Sequence, residues 1–504
     1  MRLHSDGARR LGLGALILLA VNAPYLLAWA LPGPTVFGGV LMALQDGYSY
    51  LAKMREGWRG EWLFTLPYTA EPGPGVFLYT YYLFLGHVAR WTGGSLEAAY
   101  HLARVANGAL FLAAADHLMA RFLLEPGTRL GPWLFFSLSS GLGWLALPFA
   151  PLPPDLTITE SIPFLSLFVN AHFPLAWALM LWLFALALAE PATPGALAQM
   201  ALATTLLGLV HAMALAPAGL VVGGVAAWRA IGARRYAPLR PALVVGVCAA
   251  PWVAHALWVV NTHPVLRLWN AQNVTLAPGL PEALLWGGLP LLLALPGMWN
   301  AARRRSPEDM ILLIWLGLGL ALVYAPITLQ RRMSTGLWFP LCLLAVQGWR
   351  EVLAPRLPAA WRGRLAVLGG GASVISNLLV WIAALAVVMA RRPDVFLARA
   401  EVEAFAALPA EALVLAAPET GMFIPARSDA RVLYGHQYET VDAERQKQAV
   451  EAFYAGRTPA GPFLDERGVD LVFYGPREAA LGPRPDLSGW RVFFQNDGVT
   501  VYER

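Results

Sequence analysis

Apolar residues run along this chain in long blocks separated by short polar joints, without the alternation of a half-buried sheet. Blocks long enough to cross a bilayer as helices, which takes about 20 residues, lie near 11–31, 98–122, 130–150, 172–190, 196–213, 214–231, 241–261, 283–299, 310–328, 334–349 and 365–390. A further block, "GVFLYTYYLFLGHVARW" (75–91), is ambiguous. As a span it would invert everything after it. As an interfacial or re-entrant helix it leaves "ARRLG", "WRAIGARRYAPLR", "ARRRS" and "WREVLAPRLPAAWRGR" on one side, as expected where Arg collects in cytoplasmic loops. The pattern therefore predicts about eleven transmembrane helices, with the N-terminus in the cytoplasm and the C-terminus outside. The N-terminal block follows Arg9-Arg10 and contains Ala28-Trp29-Ala30, like a signal peptide with its cleavage site. It also runs far enough to span, so an uncleaved first span is expected.

Past residue 391 the pattern changes. "ALVLAA", "RVLYG", "VDLVFYG", "RVFFQ" and "VTVYE" read as short strands, with "DAERQKQAVEAFYAG" as a helix between them. The expected organisation is a mainly α, polytopic membrane domain over 1–390 and an extracytoplasmic α/β domain over 391–504. The first outer loop, 32–97, holds an amphipathic stretch, "LMALQDGYSYLAKMREGWRGEW" (41–62). On a helix Asp46, Tyr50 and Lys53 share one face, and Leu44, Tyr48 and Leu51 form an apolar one beside it.

Composition supports this class. Of 504 residues 57% are hydrophobic and 14% charged, which excludes an ordinary soluble domain. The net charge of +5 is explained by cytoplasmic Arg, so no nucleic-acid partner is expected. Lys53 and Lys447 are the only lysines among 37 basic residues, and this Arg bias, with abundant Ala, Gly and Pro, fits a GC-rich bacterial genome. Cys248 and Cys342 lie in apolar blocks, so neither a disulfide framework nor a thiolate metal site is expected.

Polar residues that survive in so apolar a chain mark candidate chemistry. They gather at the outer ends of the spans: Asp46, Lys53, Glu56, Glu61 and Glu71 in the first loop, Asp155, Glu160 and His172 in "PPDLTITESIPFLSLFVNAHFPLAW", and Arg331-Arg332 in "QRRMSTG". Acids and an Arg pair at one interface suit an anionic lipid headgroup and a group to be deprotonated. Each has a plainer reading. Asp46 also fits a helix N-cap, Asn170 and Pro174 fit the start of a helix beside His172, and the arginines fit interface anchors. Asp116-His117 reads as a local polar pair near the inner end of its span.

An early Asp on a juxtamembrane helix after one span, a second aromatic helix and a second acidic loop resemble the GT-C superfamily of membrane glycosyltransferases, which includes protein mannosyltransferases, aminoarabinose transferases and oligosaccharyltransferases. "YTAEPGPGVFLYTYYLFLG" is similar to the stretch those enzymes place before their second juxtamembrane helix, with Glu71-Pro72-Gly73-Pro74 standing in place of His-Pro-Pro. The chain also resembles a group of bacterial membrane proteins that carry "NxHFPLA", "QRR" and "YGHxxET". The resemblance implies an inverting transfer of a sugar from a polyprenyl-phosphate or -diphosphate donor to a glycan, lipid or protein acceptor outside the plasma membrane. Asp46 and Glu160 would be catalytic, with Asp46 the general base. Arg331, Arg332 and Lys53 would bind the donor phosphate, and Tyr50, Glu71 and His436 would contact the acceptor. Some members use a divalent metal, and Asp46, Glu160 and His172 are the candidate ligands for Mn or Mg. The rival expectations are a transporter, which would show inverted repeats, and a sensor or scaffold that binds through its outer domain.

Overall fold

The computed structural model describes residues 2–31, 33–149, 152–189 and 192–504; residues 150, 151 and 190, at the edges of expected spans, lie outside these. The protein is mainly helical, with a small sheet near the C-terminus. Among the described residues four helices are long and apolar enough to cross a membrane: Gly7–Ala30, Pro194–Ala233, Ala237–Thr262 and Leu280–Arg304; the pair Ala359–Ala372 and Ile375–Met389, bent by 43°, makes a fifth if it is one span. The protein is a multi-pass membrane protein.

The other apolar blocks are helical too, but shorter, more charged or broken. The block at 98–122 falls within Leu96–Phe122, which carries Glu97, Arg104, Asp116 and Arg121. Three of these charges are matched inside the protein, Glu97 by Arg427 at 2.6 Å. Asp116 pairs with Arg10 at 2.9 Å, and Arg104, buried, donates to the carbonyls of Leu167 and Phe168 and to Asn22. The block at 130–150 is α-helical over Leu130–Leu138 before Ser139-Ser140-Gly141 interrupts it, and a short 3₁₀ turn follows over Gly143–Leu145. The ambiguous 75–91 block forms a helix over Thr80–Thr92. Its 13 residues rise about 20 Å, less than the roughly 30 Å of bilayer hydrocarbon.

The chain divides into two compact units, one built from Met1–Ala23, Leu102–His255 and Thr275–Ala383, the other from Pro24–His101, Ala256–Val274 and Ala384–Arg504. The last segment of the second unit begins near the expected domain boundary, and two earlier segments join it. The reason is pairing across the sequence: strand Thr35–Phe37 runs antiparallel to Phe396–Ala398. The five expected C-terminal strands form one sheet in the order Arg431–Val432, Leu413–Leu415, Leu471–Tyr474, Thr500–Glu503, Arg491–Gln495. The first three are parallel and the last two antiparallel. The expected helix, Ala443–Tyr454, packs Val450, Phe453 and Tyr454 against Leu415 and Val472. In this second unit the amphipathic stretch is helical over Leu44–Arg59 and packs on Thr80–Thr92. Contact is backbone to backbone, because a Cβ on Gly57 would lie 2.0 Å from the Leu83 carbonyl oxygen and one on Gly86 1.9 Å from that of Met54. Only glycine permits this approach.

Candidate functional site

In the second unit, the Leu44–Arg59 helix is entered through Ala43, which sits in the left-handed region (φ 51°) and offers no capping side chain. Asp46 is thus not the N-cap. It lies in the first turn, where a carboxylate complements the positive end of the helix dipole, and 35% of its side chain is exposed. Lys53, seven residues on, has no exposure at all. A buried ammonium needs a partner, and Lys53 finds Glu439 Oε1 at 2.7 Å and the Ser49 hydroxyl. Ser49 donates to the same Glu439 oxygen at 2.6 Å, and the rings of Tyr79 and Phe64 face the ammonium at 4.3 and 5.0 Å. Burial works against the Glu439 carboxylate, but Lys53 and His436 nearby and the bonds from Lys53 and Ser49 outweigh it and hold the pKa below the usual range.

Glu439 belongs to "YGHQYET", a loop that bonds mainly to itself. Thr440 Oγ1 accepts the amide protons of Gly435 and His436. His436 Nδ1 accepts those of Tyr438 and Glu439, each at 3.0 Å. Gln272 clamps the loop from the helix Pro264–Gln272, donating to the carbonyls of Tyr438 and Thr440. A Cβ on Gly435 would fall 2.4 Å from the Gly421 carbonyl oxygen, so no larger residue fits without displacing the backbone. Because Nδ1 is an acceptor, the neutral His436 ring carries its proton on Nε2. That nitrogen is buried, has no hydrogen-bond partner among the described residues, and stands 3.8 Å from Asp46 Oδ1. Burial lowers the His436 pKa, with Glu439 and Asp46 opposing and Lys53 adding to it.

Other expected residues of this unit are placed as follows. Tyr50 stacks on Tyr82, ring centres 4.1 Å apart, and Glu71 is exposed. Glu56, on the same helix as Asp46, is buried and accepts bonds from the Thr65 amide and hydroxyl. Burial raises its pKa to about 7 against those bonds.

In the first unit, Glu160 is 1% exposed. Its Oε1 faces Arg332 Nη1 at 3.4 Å and Arg331 Nε at 4.0 Å, and Oε2 accepts from the Thr159 hydroxyl. Both arginines ride on the short 3₁₀ turn Gln330–Ser334. The Arg331 amide donates to the Thr275 carbonyl, and Gln330 Oε1 accepts from the Ala277 amide. Arg331 also lines an open cleft of about 230 Å³ whose walls include Leu152, Pro153, Ile158, Leu276 and Leu285. His172 packs on Phe173 at 4.0 Å and on His211 at 5.2 Å. Asp155 is fully buried, its Oδ2 accepting from the Gly143 amide and the Ser376 hydroxyl; burial raises its pKa against these bonds.

Among the described residues no three His, Cys, Asp or Glu side chains gather around a common point, and the carboxylate of Glu160, one of the expected metal ligands, faces two guanidinium groups and a hydroxyl. Sequence reasoning named Glu56 but not its burial, and it missed Glu439 as the partner of Lys53 and His211 beside His172. A signal existed for Glu439: one of two lysines in the chain, on a helix otherwise rich in aromatic and apolar residues, requires an acid.

No family model and no curated protein matches the chain. Among solved structures, it is similar to the oligosaccharyltransferase of Archaeoglobus fulgidus in its apo form (12% identity, 93% of this chain and 69% of that one, TM-score 0.54). The same enzyme in complex with Zn and sulfate matches at 13% identity over 92% of this chain and 68% of that one, TM-score 0.53. ArnT of Cupriavidus metallidurans bound to undecaprenyl phosphate matches at 14% identity over 97% of this chain and 98% of that one, TM-score 0.52. A likeness spread over nearly the whole chain at such low identity is one of architecture: the protein has the fold of the GT-C membrane glycosyltransferases.

Proposed function

We propose that this protein is a glycosyltransferase that moves a sugar from a polyprenyl-phosphate or polyprenyl-diphosphate donor to an acceptor hydroxyl outside the cytoplasm. The observation that carries this is the arginine pair at Glu160. Arg331 and Arg332, 31% and 17% exposed, face one buried carboxylate, and Arg331 lines a cleft whose walls are largely apolar side chains with Glu282 among them. A phosphate on a polyprenyl chain has the matching character, an anion on an apolar tail. The fold supports the same class, since one solved structure that shares it holds undecaprenyl phosphate.

In this reading Asp46 takes the proton of the acceptor hydroxyl as its oxygen attacks the anomeric carbon. The bond from that carbon to the donor phosphate breaks, and the phosphate leaves with the electron pair against Arg331 and Arg332. The anomeric configuration inverts. A positioned base of this kind contributes on the order of 10²–10⁴ in rate. Lys53, fully paired with Glu439, is left out of phosphate binding. No step is routed through a metal.

The test uses the purified full chain with a panel of radiolabelled undecaprenyl-phosphate sugars and a cell-envelope extract as acceptor. Transfer from at least one donor is expected, with the donor KM raised about tenfold or more when Arg331 and Arg332 are both replaced by Gln, as loss of a charge-assisted bond worth about 1.5–3 kcal/mol implies. An unchanged donor KM in that variant, or no transfer from any member of the panel, would overturn the reading.

A further inference from the structure

The Asp46 carboxylate has one feature that a solvated loop acid would lack: a buried donor faces it. We propose that His436 is a positioning residue for Asp46, its Nε2–H fixing the carboxylate that receives the acceptor proton. This rests on the reading of Asp46 as the base.

The case is built from the loop and the helix together. Two backbone amides bond to His436 Nδ1, and this does two things. It sets the tautomer, placing the proton on Nε2, and it fixes the ring plane relative to the loop. The loop is in turn fixed on the helix, because Glu439, one of the two residues whose amides hold the ring, grips Lys53 with its carboxylate at 2.7 Å. Asp46 and Lys53 lie seven residues apart on one face of the helix, and His436 and Glu439 three apart in the loop. Helix and loop therefore meet at two points. One, Lys53 with Glu439, is closed and buried. The other, Asp46 with His436, stands at 3.8 Å, roughly 1 Å beyond a hydrogen bond.

A buried N–H without a partner is uncommon in a folded protein. Here the nearest acid is Asp46, and catalytic hydrogen bonds are often long before substrate is bound. Closing the gap would engage Oδ1 with Nε2–H and leave Oδ2 turned to the acceptor hydroxyl. The proton passes from the acceptor oxygen to Asp46, while His436 keeps its own proton throughout. Tyr68 packs against the other side of the ring, centre to centre 5.7 Å, and spends its hydroxyl on the Met422 carbonyl, so no competing acceptor is offered from there.

Two substitutions separate positioning from simple loop-holding. His436→Asn sets an amide oxygen where Nδ1 stood, preserving the two amide bonds, and removes the Nε2 donor. His436→Gln sets a donor near the place of Nε2 and gives up the Nδ1 acceptor. Positioning predicts that kcat falls about tenfold or more in His436→Asn with KM little changed and normal melting, and recovers to within about threefold of wild type in His436→Gln. Loop-holding predicts the reverse order, with the lower melting temperature in His436→Gln. Should His436→Asn fail to fold, the decision passes to His436→Gln, where a kcat as low as that of Asp46→Asn overturns the proposal.

A second readout does not depend on turnover. In ¹⁵N-histidine-labelled full-length protein, magic-angle-spinning NMR should show His436 neutral with Nε2 protonated, and Asp46→Asn should shift that Nε2–H signal. A proton on Nδ1, or a signal indifferent to Asp46→Asn, would overturn the pairing. The underlying reading fails separately. If Asp46→Asn keeps wild-type kcat, Asp46 is not the base, whatever the ring signal does. If Asp46→Asn loses a hundredfold and His436→Asn loses nothing, the base stands and the positioning role falls.

Discussion

Each unit sets buried acid against basic side chains, and the two arrangements differ in stoichiometry and tightness. In the second unit one lysine meets one glutamate at 2.7 Å, with side-chain exposures of 0% and 8%. Charge is balanced, and a serine hydroxyl adds a bond to the same oxygen, while the other carboxylate oxygen is buried with no hydrogen-bond partner among the described residues. In the first unit two arginines meet one glutamate at 3.4 and 4.0 Å, and they keep 17% and 31% of their side chains exposed. Two guanidinium groups face the one carboxylate, and part of each faces solvent. A closed pair of equal charges serves the fold, whereas in the proposed reading the partly exposed pair of arginines receives an anion. The exposure also explains why sequence reading places Lys53 and the arginines together as phosphate ligands: charge type is visible in a sequence, and its neutralisation is not.

The largest expected effect tests the closed pair. Lys53→Met should leave the Glu439 carboxylate buried without its cation and destabilise the second unit by about 3–5 kcal/mol, while adding Glu439→Gln should restore much of that loss, because removing both charges spares the uncompensated one. Denaturation of the detergent-solubilised protein measures it. A single and a double variant of equal stability would mean that the pair is not coupled.

The arginines should behave in the opposite way. Replacing Arg331 alone by Gln, which leaves Arg332 on the buried Glu160 carboxylate, should change stability by about 1 kcal/mol, since a partly exposed contact at 4.0 Å contributes little, even as donor binding weakens. A loss as large as that of Lys53→Met would show the arginines to be structural and erase the contrast between the units.

The smallest effect concerns Glu56. Its folded pKa, about 7, lies above the ordinary 4.5, so its contribution to stability is present in full below pH 4.5 and is lost as pH rises through 7. Glu56→Gln mimics the protonated acid, and it should therefore raise the melting stability at pH 8 by on the order of 1 kcal/mol while leaving that at pH 4.5 nearly unchanged. Equal pH dependence in variant and wild type would place the titration elsewhere.

Much of the fold is legible in the sequence because the information is local. The apolar blocks, the period-two strands after residue 391, the helix over Ala443–Tyr454 and the amphipathic helix that bears Asp46 all depend on neighbours within a few turns. Block length is a weaker guide. The 130–150 block carries no charge, yet its α-helix stops at Leu138, and just beyond it Ser140 bonds across to the Ser373 carbonyl.

By itself the sequence determined the class: a multi-pass, mainly helical membrane protein with a small α/β region, whose polar candidates lie between apolar blocks. Only the tertiary structure decided which of those candidates face one another. Lys53 meets an acid 386 residues away, and Glu160 meets an arginine 172 residues away. With 32 acids and 37 basic residues in the chain, hydropathy and spacing cannot select such partners. Selection comes from burial, where an unpaired charge is costly enough to enforce a match, and from strand and helix pairings that bring distant segments into register, as Thr35–Phe37 with Phe396–Ala398 does. The same contacts take Lys53 out of the set of free cations and put His436 behind Asp46, because which groups are buried together is a property of the folded chain.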